Sequence, residues 1–178
     1  MLYLIDANVP ITAHNSYYPL SVVPEFWEWM EHVAADGQAK MPPETFGELK
    51  GGNPDKDALL AWAKQPNIVS ALRLQEEAAP EFVRQVLDCY GENLTDDELE
   101  TIGQDPFLIA YCLADPENRA VVTTEVSARK KNRQNRKVPD VCADLGVRCY
   151  DPFQFLRTLK FSTGWNKHRP QIAVPAAA

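Results

Sequence analysis

The sequence predicts an α/β fold with a central, mainly parallel sheet flanked by helices. The chain opens MLYLIDANVPI, an apolar run that stops on Asp6 and reads as a short buried strand with a carboxylate at its C-terminal end. A second run, RAVVTT, is apolar and leads directly into Glu125. Around these runs, segments with helical spacing alternate with short strand-like ones, the pattern of a parallel α/β sandwich. In open α/β sheets the carboxyl edge of the strands is where ligands gather. Acids delivered there can build an oxygen site for Mg²⁺ or Mn²⁺.

The remaining elements follow in order. Pro24 suits a first helical turn, EFWEWMEHVAA places Phe26, Trp29, Met30 and Val33 at helical spacing, and Gly37 closes the helix. AKMPP reads as a short strand or a connector, and ETFGELK as a brief helix ended by Gly51, Gly52 and Asn53. DKDALLAWAKQ is a helix stopped by Pro66, and IVSAL is expected to be a strand. QEEAAPEFVRQVLDCYG reads as a helix in which Pro80 marks a kink or a late start. TDDELETIG has Thr95 as its cap and acids in its first turn. Asp105 is expected to cap the apolar helix that follows, with Pro106 at the first position. VPDVCADLG reads as a short helix ending at Gly146, VRCY as a strand, and DPFQFLRTLK as a second Asp-Pro helix start. One domain is expected over residues 1–160, with a weakly structured tail over 161–178.

Composition narrows the function classes. With 178 residues, 45% of them hydrophobic, the chain can bury a real core. Charge or proline interrupts every apolar run, so no membrane span is expected. No basic leader with a small-residue cleavage site is visible, and a cytoplasmic location is expected. Cys89, Cys112, Cys142 and Cys149 form no CxxC pair and read as reduced, partly buried thiols. His14, His32 and His168 are scattered, which gives no metal-histidine cluster. The net charge of −7 argues against a generic nucleic-acid coat. Yet ARKKNRQNRK carries Arg129, Lys130, Lys131, Arg133, Arg136 and Lys137 with no acid among them. That run reads either as a solvated loop or, because it starts just after Glu125, as an arm for a phosphate backbone.

MLYLIDANVPI, the Glu48-Leu49 pair in a short helix, DPFLIAYCLA and VVTTE resemble, in order and spacing, the PIN-domain nucleases. KVPDVCADLGVRCYDPFQFLR, together with HNSYYPLSVVPEFWEWM, is similar more specifically to the DUF4411 branch of PIN-like proteins. The resemblance covers residues 1–160. It implies a three-layer PIN-like fold and a Mg²⁺- or Mn²⁺-dependent endoribonuclease, as in the VapC-like toxins of bacterial toxin–antitoxin pairs. The implied partners are RNA, a cognate antitoxin protein and, as a further option, a second copy of the chain. Carried over by position, the first acid is Asp6, the second Glu48 and the third Asp105. The fourth falls on Glu125, one methylene longer than the aspartate usual there. Asn8 matches a frequent polar position, Thr123 or, preferred, Thr124 matches the accompanying hydroxyl, and Asp140 is a further supporting candidate.

The chemistry explains the acids. A phosphodiester is already anionic, and a divalent cation neutralises charge that builds in its transition state and lowers the pKa of a bound water. Without the cation, converging carboxylates repel one another. Asp6 and Asp105 are read as the principal ligands, Glu48 as a ligand or water-orienting group, and Glu125 as acting through a water or a second metal. Asn8 and Thr124 would orient these groups.

Each residue has a plainer role beside this one. Asp and Glu number 25 of 178, so a single match carries little. Asp105 before Pro106 is an ordinary cap pattern, and Asp151-Pro152 shares it with no chemistry assigned. Glu44 lies on the same helix face as Glu48 and could replace it. Asp140 could cap a helix or pair with Lys137, and Trp27, Trp29 and Trp62 are expected in the core rather than as base-stacking platforms. Two rivals stand. A haloacid-dehalogenase-type phosphatase wants a second acid two residues after the first, where this chain has Asn8. A non-catalytic PIN-like module that binds RNA or protein is favoured by Glu125 in place of aspartate.

Overall fold

The computed structural model describes residues 1–49 and 57–167. Strand β1 (Leu2–Ile5) leads into helix α1 (Asn8–Thr12) and a π-helical turn (Ala13–Tyr17). Helix α2 (Pro24–Ala35) starts on Pro24, and Gly37, at φ +73°, reverses the chain into strand β2 (Ala39–Lys40). Helices α3 (Pro43–Glu48), α4 (Ala58–Ala63), α5 (Pro66–Leu72), α6 (Pro80–Tyr90), α7 (Asp96–Ile102) and α8 (Asp105–Leu113) follow. The chain then forms strand β3 (Arg119–Val122), helix α9 (Val138–Asp144), strand β4 (Arg148–Tyr150) and helix α10 (Pro152–Thr158).

The four strands form one wholly parallel sheet in the order β2-β1-β3-β4. Side chains alternate between its faces, as strand geometry requires. Tyr3, Ile5, Ala120 and Val122 enter a core shared with Phe26, Trp29 and Met30 of α2, Trp62 of α4, Ile68 of α5 and Phe155 of α10. Leu4 and Val121 enter the opposite core, built with Val86 of α6, Leu108 and Ile109 of α8, and Val141 of α9. Helices therefore cover both faces, giving three layers. Trp27, Trp29 and Trp62 are buried, as expected of core residues. Among the described residues no helix is long and apolar enough to cross a membrane.

One local expectation changes, and one stated alternative is selected. IVSAL is part of α5, not a strand. Pro66 supplies the first helical φ, and Ile68 and Leu72, four apart, are the residues the segment buries. That is a helical period; the β-branched content misleads. Pro80 is a late start rather than a kink, since α6 begins on it. The Thr95 cap is present as a full capping box with Glu98. Past residue 160, Phe161 and Trp165 pack on the core, and the Trp165 indole donates to the Glu25 carbonyl at 3.1 Å. Gly51, Gly52, Asn53, His168 and the last ten residues of the expected tail lie outside the described residues.

Candidate functional site

The site starts from strand register. Ile5 of β1 pairs with Val122 of β3, so two parallel strands release their chains side by side at one edge. Asp6 is the next residue, 3% exposed, and its N–H donates to the Val122 carbonyl at 2.9 Å. Its Oδ2 accepts a 2.6 Å bond from the Thr123 hydroxyl, and its Oδ1 accepts from the Asn8 N–H at 3.3 Å. Burial pushes the Asp6 carboxyl above its ordinary range. The bonds from Thr123 and Asn8 offset part of that, and the charge of Glu125 adds to it.

Asp105 reaches the same edge because α8 runs back along the sheet into β3. It does not cap the helix. Gln104 occupies the cap position without a side-chain bond, and Asp105 is the first helical residue. Asp151, in the same Asp-Pro setting, does cap, in a capping box with Gln154. The carboxyl of Asp105 is raised to about 7, first by burial and then by the charges of Asp6, Glu125 and Glu48, with Lys137 working against them. Glu48 ends α3 at the exposed rim. Its carboxyl is also raised, by loss of solvent and by Asp6. Four acids from four segments thus lie within electrostatic reach of one another. Glu44 does not join them; it lines a separate depression beside Tyr111, Glu76 and Glu77.

The fourth acid is held differently. Glu125 receives the Lys137 ammonium at 2.5 Å on Oε1 and the Val138 N–H at 2.8 Å on Oε2. Its carboxylate therefore seals the start of α9, where the N–H groups of a helix lack intrahelical partners. Its own N–H donates to the Thr123 hydroxyl at 3.1 Å.

The structure separates the supporting residues. Of the two threonines, Thr123 carries the hydroxyl that meets the acids: it is 1% exposed and bridges Asp6 to the Glu125 backbone, while Thr124, preferred from the sequence, lines an apolar depression. Asp140 faces the loop and not the acids. It accepts from the Ser127 hydroxyl at 2.5 Å and the Ala128 N–H at 2.7 Å. Burial works to raise its carboxyl, but those bonds and the charges of Arg129 and Arg136 together hold it below the usual range.

The basic run divides in two. Arg133 clamps Glu98 and the carbonyls of Glu92 and Asn93, and Arg136 joins Asp144 to the Cys89 carbonyl. With Lys137 on Glu125, these three hold the loop in place. Arg129, Lys130 and Lys131 are exposed and make no ion pair among the described residues.

Sequence reasoning missed two members of the site. The sequence groups Lys137 with the outer basic residues, because a charge run shows no partners. Tyr90, the last residue of α6, is 2% exposed with no hydrogen-bond partner for its hydroxyl. Burial and the charges of Asp105 and Glu125 raise that hydroxyl far above its ordinary value. No local signal marks it, since it reads as one more apolar-face aromatic.

The donor set is all oxygen and its charge is only partly offset, which suits a hard divalent cation. Among the described residues, no three His, Cys, Asp or Glu groups are gathered closely enough to hold an ion as they stand. A family described as "Domain of unknown function (DUF4411)" matches residues 3–163, and the chain belongs to that family. Neither the curated proteins nor the solved structures contained a match.

Proposed function

We propose that this DUF4411 chain is a PIN-type, metal-dependent endoribonuclease that hydrolyses RNA phosphodiester bonds in the cytoplasm. We further propose that it acts as the toxin of a bacterial toxin–antitoxin pair, with a cognate antitoxin protein as its partner. The observation that carries the nuclease reading is the gathering of Asp6, Glu48, Asp105 and Glu125 within electrostatic reach of one another where β1 and β3 end side by side. The Asp105 carboxyl is lifted to about 7 by burial beside three other acids and is released from any capping duty. Like charges gathered and partly desolvated in this way are costly unless they serve a site.

Asp6, Asp105 and Glu48 are the residues that would hold Mg²⁺ or Mn²⁺. The bound ion would supply Lewis-acid charge toward the phosphoryl oxygens and a more acidic water. Thr123 and the Asn8 N–H fix both oxygens of Asp6, so its orientation is set before any ligand arrives. Asp105 would be held ionised beside a bound cation, and Glu48, at the rim, would orient a water. Glu125 contributes negative charge while keeping α9 and Lys137 in register. Arg129, Lys130 and Lys131 lie on the arm that follows and neutralise flanking phosphates.

The non-catalytic binding module remains the second reading. It draws support from Glu125, both of whose oxygens are engaged within the chain. The test is incubation of the purified chain with RNA in Mn²⁺, Mg²⁺ or EDTA, with mapped cleavage ends. Cleavage that needs the cation and is lost in Asp6→Asn is expected. Cleavage of equal rate in EDTA, or in Asp6→Asn, overturns the nuclease mechanism.

A further inference from the structure

All four cysteines are free thiols. Three of them belong to the core between the sheet and helices α6, α8 and α9. Cys112 of α8 and Cys142 of α9 are fully buried there, and Cys149 of β4 packs against that core from a half-buried position.

The backbone brings the last two together. Helix α9 ends in a left-handed turn: Gly146 sits at φ +69°, its N–H donates to the Ala143 carbonyl at 3.4 Å, and the Val147 N–H reaches back to the Cys142 carbonyl at 2.8 Å. This pair of closing bonds reverses the chain against the last turn of its own helix. Cys149 follows two residues later in β4, opposite Val121 of β3. Side chains alternate along a strand, and Val121 faces α8 and α9, so Cys149 faces them too. The result is direct contact: the Cys142 and Cys149 thiols share a hydrogen bond.

The two thiols differ in setting. That hydrogen bond first, then burial, then the charges of Cys149, Cys112 and Asp105 hold the Cys142 thiol well above its ordinary range, so it keeps its proton. Cys149 lies on the outer strand of the sheet and is half-buried. One thiol is thus within reach of solvent, and its neighbour is sealed and in contact with it. An isolated buried thiol is inert, whereas a reachable thiol beside a resolving one is the arrangement that oxidants convert to a disulfide.

We propose that Cys149 and Cys142 form a redox site for a peroxide-class oxidant, in which Cys149 is oxidised first and Cys142 closes a disulfide between α9 and β4. In the first step the Cys149 sulfur takes one oxygen of hydrogen peroxide. The O–O bond breaks, a sulfenic acid forms, and water leaves with the thiol proton. In the second step the Cys142 sulfur attacks the Cys149 sulfur. The S–O bond breaks, the S–S bond forms, and the displaced hydroxide leaves as water with the Cys142 proton. Two thiols lose two electrons and the peroxide gains them. A dithiol reverses the change by exchange. Glu125 already holds the start of α9 through the Val138 N–H. The disulfide holds its far end, so oxidation fastens that helix at both ends. The site stands whether or not the acids cut RNA.

The test treats the reduced full chain with stoichiometric hydrogen peroxide in EDTA, alkylates it in denaturant and digests it with trypsin. Cleavage after Lys137, Arg148 and Arg157 puts the two cysteines on separate peptides, 138–148 and 149–157. These should appear joined, with Cys89 and Cys112 alkylated, and should separate after dithiothreitol. Alkylatable thiols should fall from four to two. Cys149→Ser should keep its remaining thiols at the same peroxide dose. Cys142→Ser should accumulate a sulfenic acid on Cys149 that dimedone labels. Because Cys142 lies in the core, circular dichroism checks the fold of that variant, and the parent peptide map decides the matter even where it fails to fold. Four thiols recovered from the parent, a disulfide mapped to Cys89 or Cys112, or a Cys149→Ser chain that loses thiols as the parent does overturns the redox site.

Discussion

Replacing Asp105 by Asn should stabilise the metal-free protein at alkaline pH while removing the proposed metal-dependent cleavage of RNA. In the native chain Asp105 keeps its proton up to about 7, whereas an unfolded aspartate releases it near 3.8. Between those values the native state binds more protons than the unfolded one, so stability falls as pH rises. The contribution is fully present below about pH 4 and is lost as pH passes through 7. Each pKa unit corresponds to about 1.4 kcal/mol, which makes the full loss about 4 kcal/mol. For a chain of this size that is on the order of 10 °C in melting temperature. Asp6 and Glu48 are raised as well, so they act in the same direction. Asn keeps the shape of the side chain and carries no charge. Urea denaturation in EDTA at pH 5 and pH 8 measures the effect. The parent should lose stability between the two, and Asp105→Asn should lose less, exceeding the parent at pH 8. Parallel pH profiles for the two proteins would refute the claim that desolvation and like-charged acids hold the Asp105 proton.

Mn²⁺ should raise the parent melting temperature more at pH 8 than at pH 5, because protons compete for the same carboxylates; calorimetry in two buffers should show proton release on binding. Thr123→Val should cost about 1.5–3 kcal/mol by leaving a buried carboxylate short of a donor, and should lower activity, while Thr123→Ser keeps both. Asp151→Ala should cost about 1 kcal/mol of stability with activity intact, which melting curves and cleavage rates separate from the effect of Asp105→Asn. Neutralising Arg129, Lys130 and Lys131 should reduce the slope of log K against log salt for single-stranded RNA by about 2. Arg133→Ala should leave that slope unchanged and instead increase amide exchange across the loop, since its guanidinium is clamped to Glu98.

The sheet and most helices were legible in the sequence because their signals are local. LYLI and RAVV are short apolar runs with no helical period, and both form central strands. Thr95 and Asp151 announce helix starts through side chains that bond their own backbone three residues on. IVSAL defeated the same reasoning because its residues tolerate either state, and burial of Ile68 and Leu72 on one side decides for the helix.

At the site, sequence alone placed Asp6 and Glu125 just beyond apolar runs, and Asp105 at the start of its helix. It did not separate Glu48 from Glu44, Thr123 from Thr124, or Asp105 from a cap like Asp151. Those distinctions depend on where a side chain points and on charges far away in sequence. Thr123 meets Asp6 across 117 residues, and Arg133 meets Glu98 across 35. Residue type and spacing record which groups exist. Only the packed sheet, by bringing the ends of β1 and β3 together at one edge, decides which groups share a low-dielectric volume, and so which acids feel one another and which basic residues are already engaged.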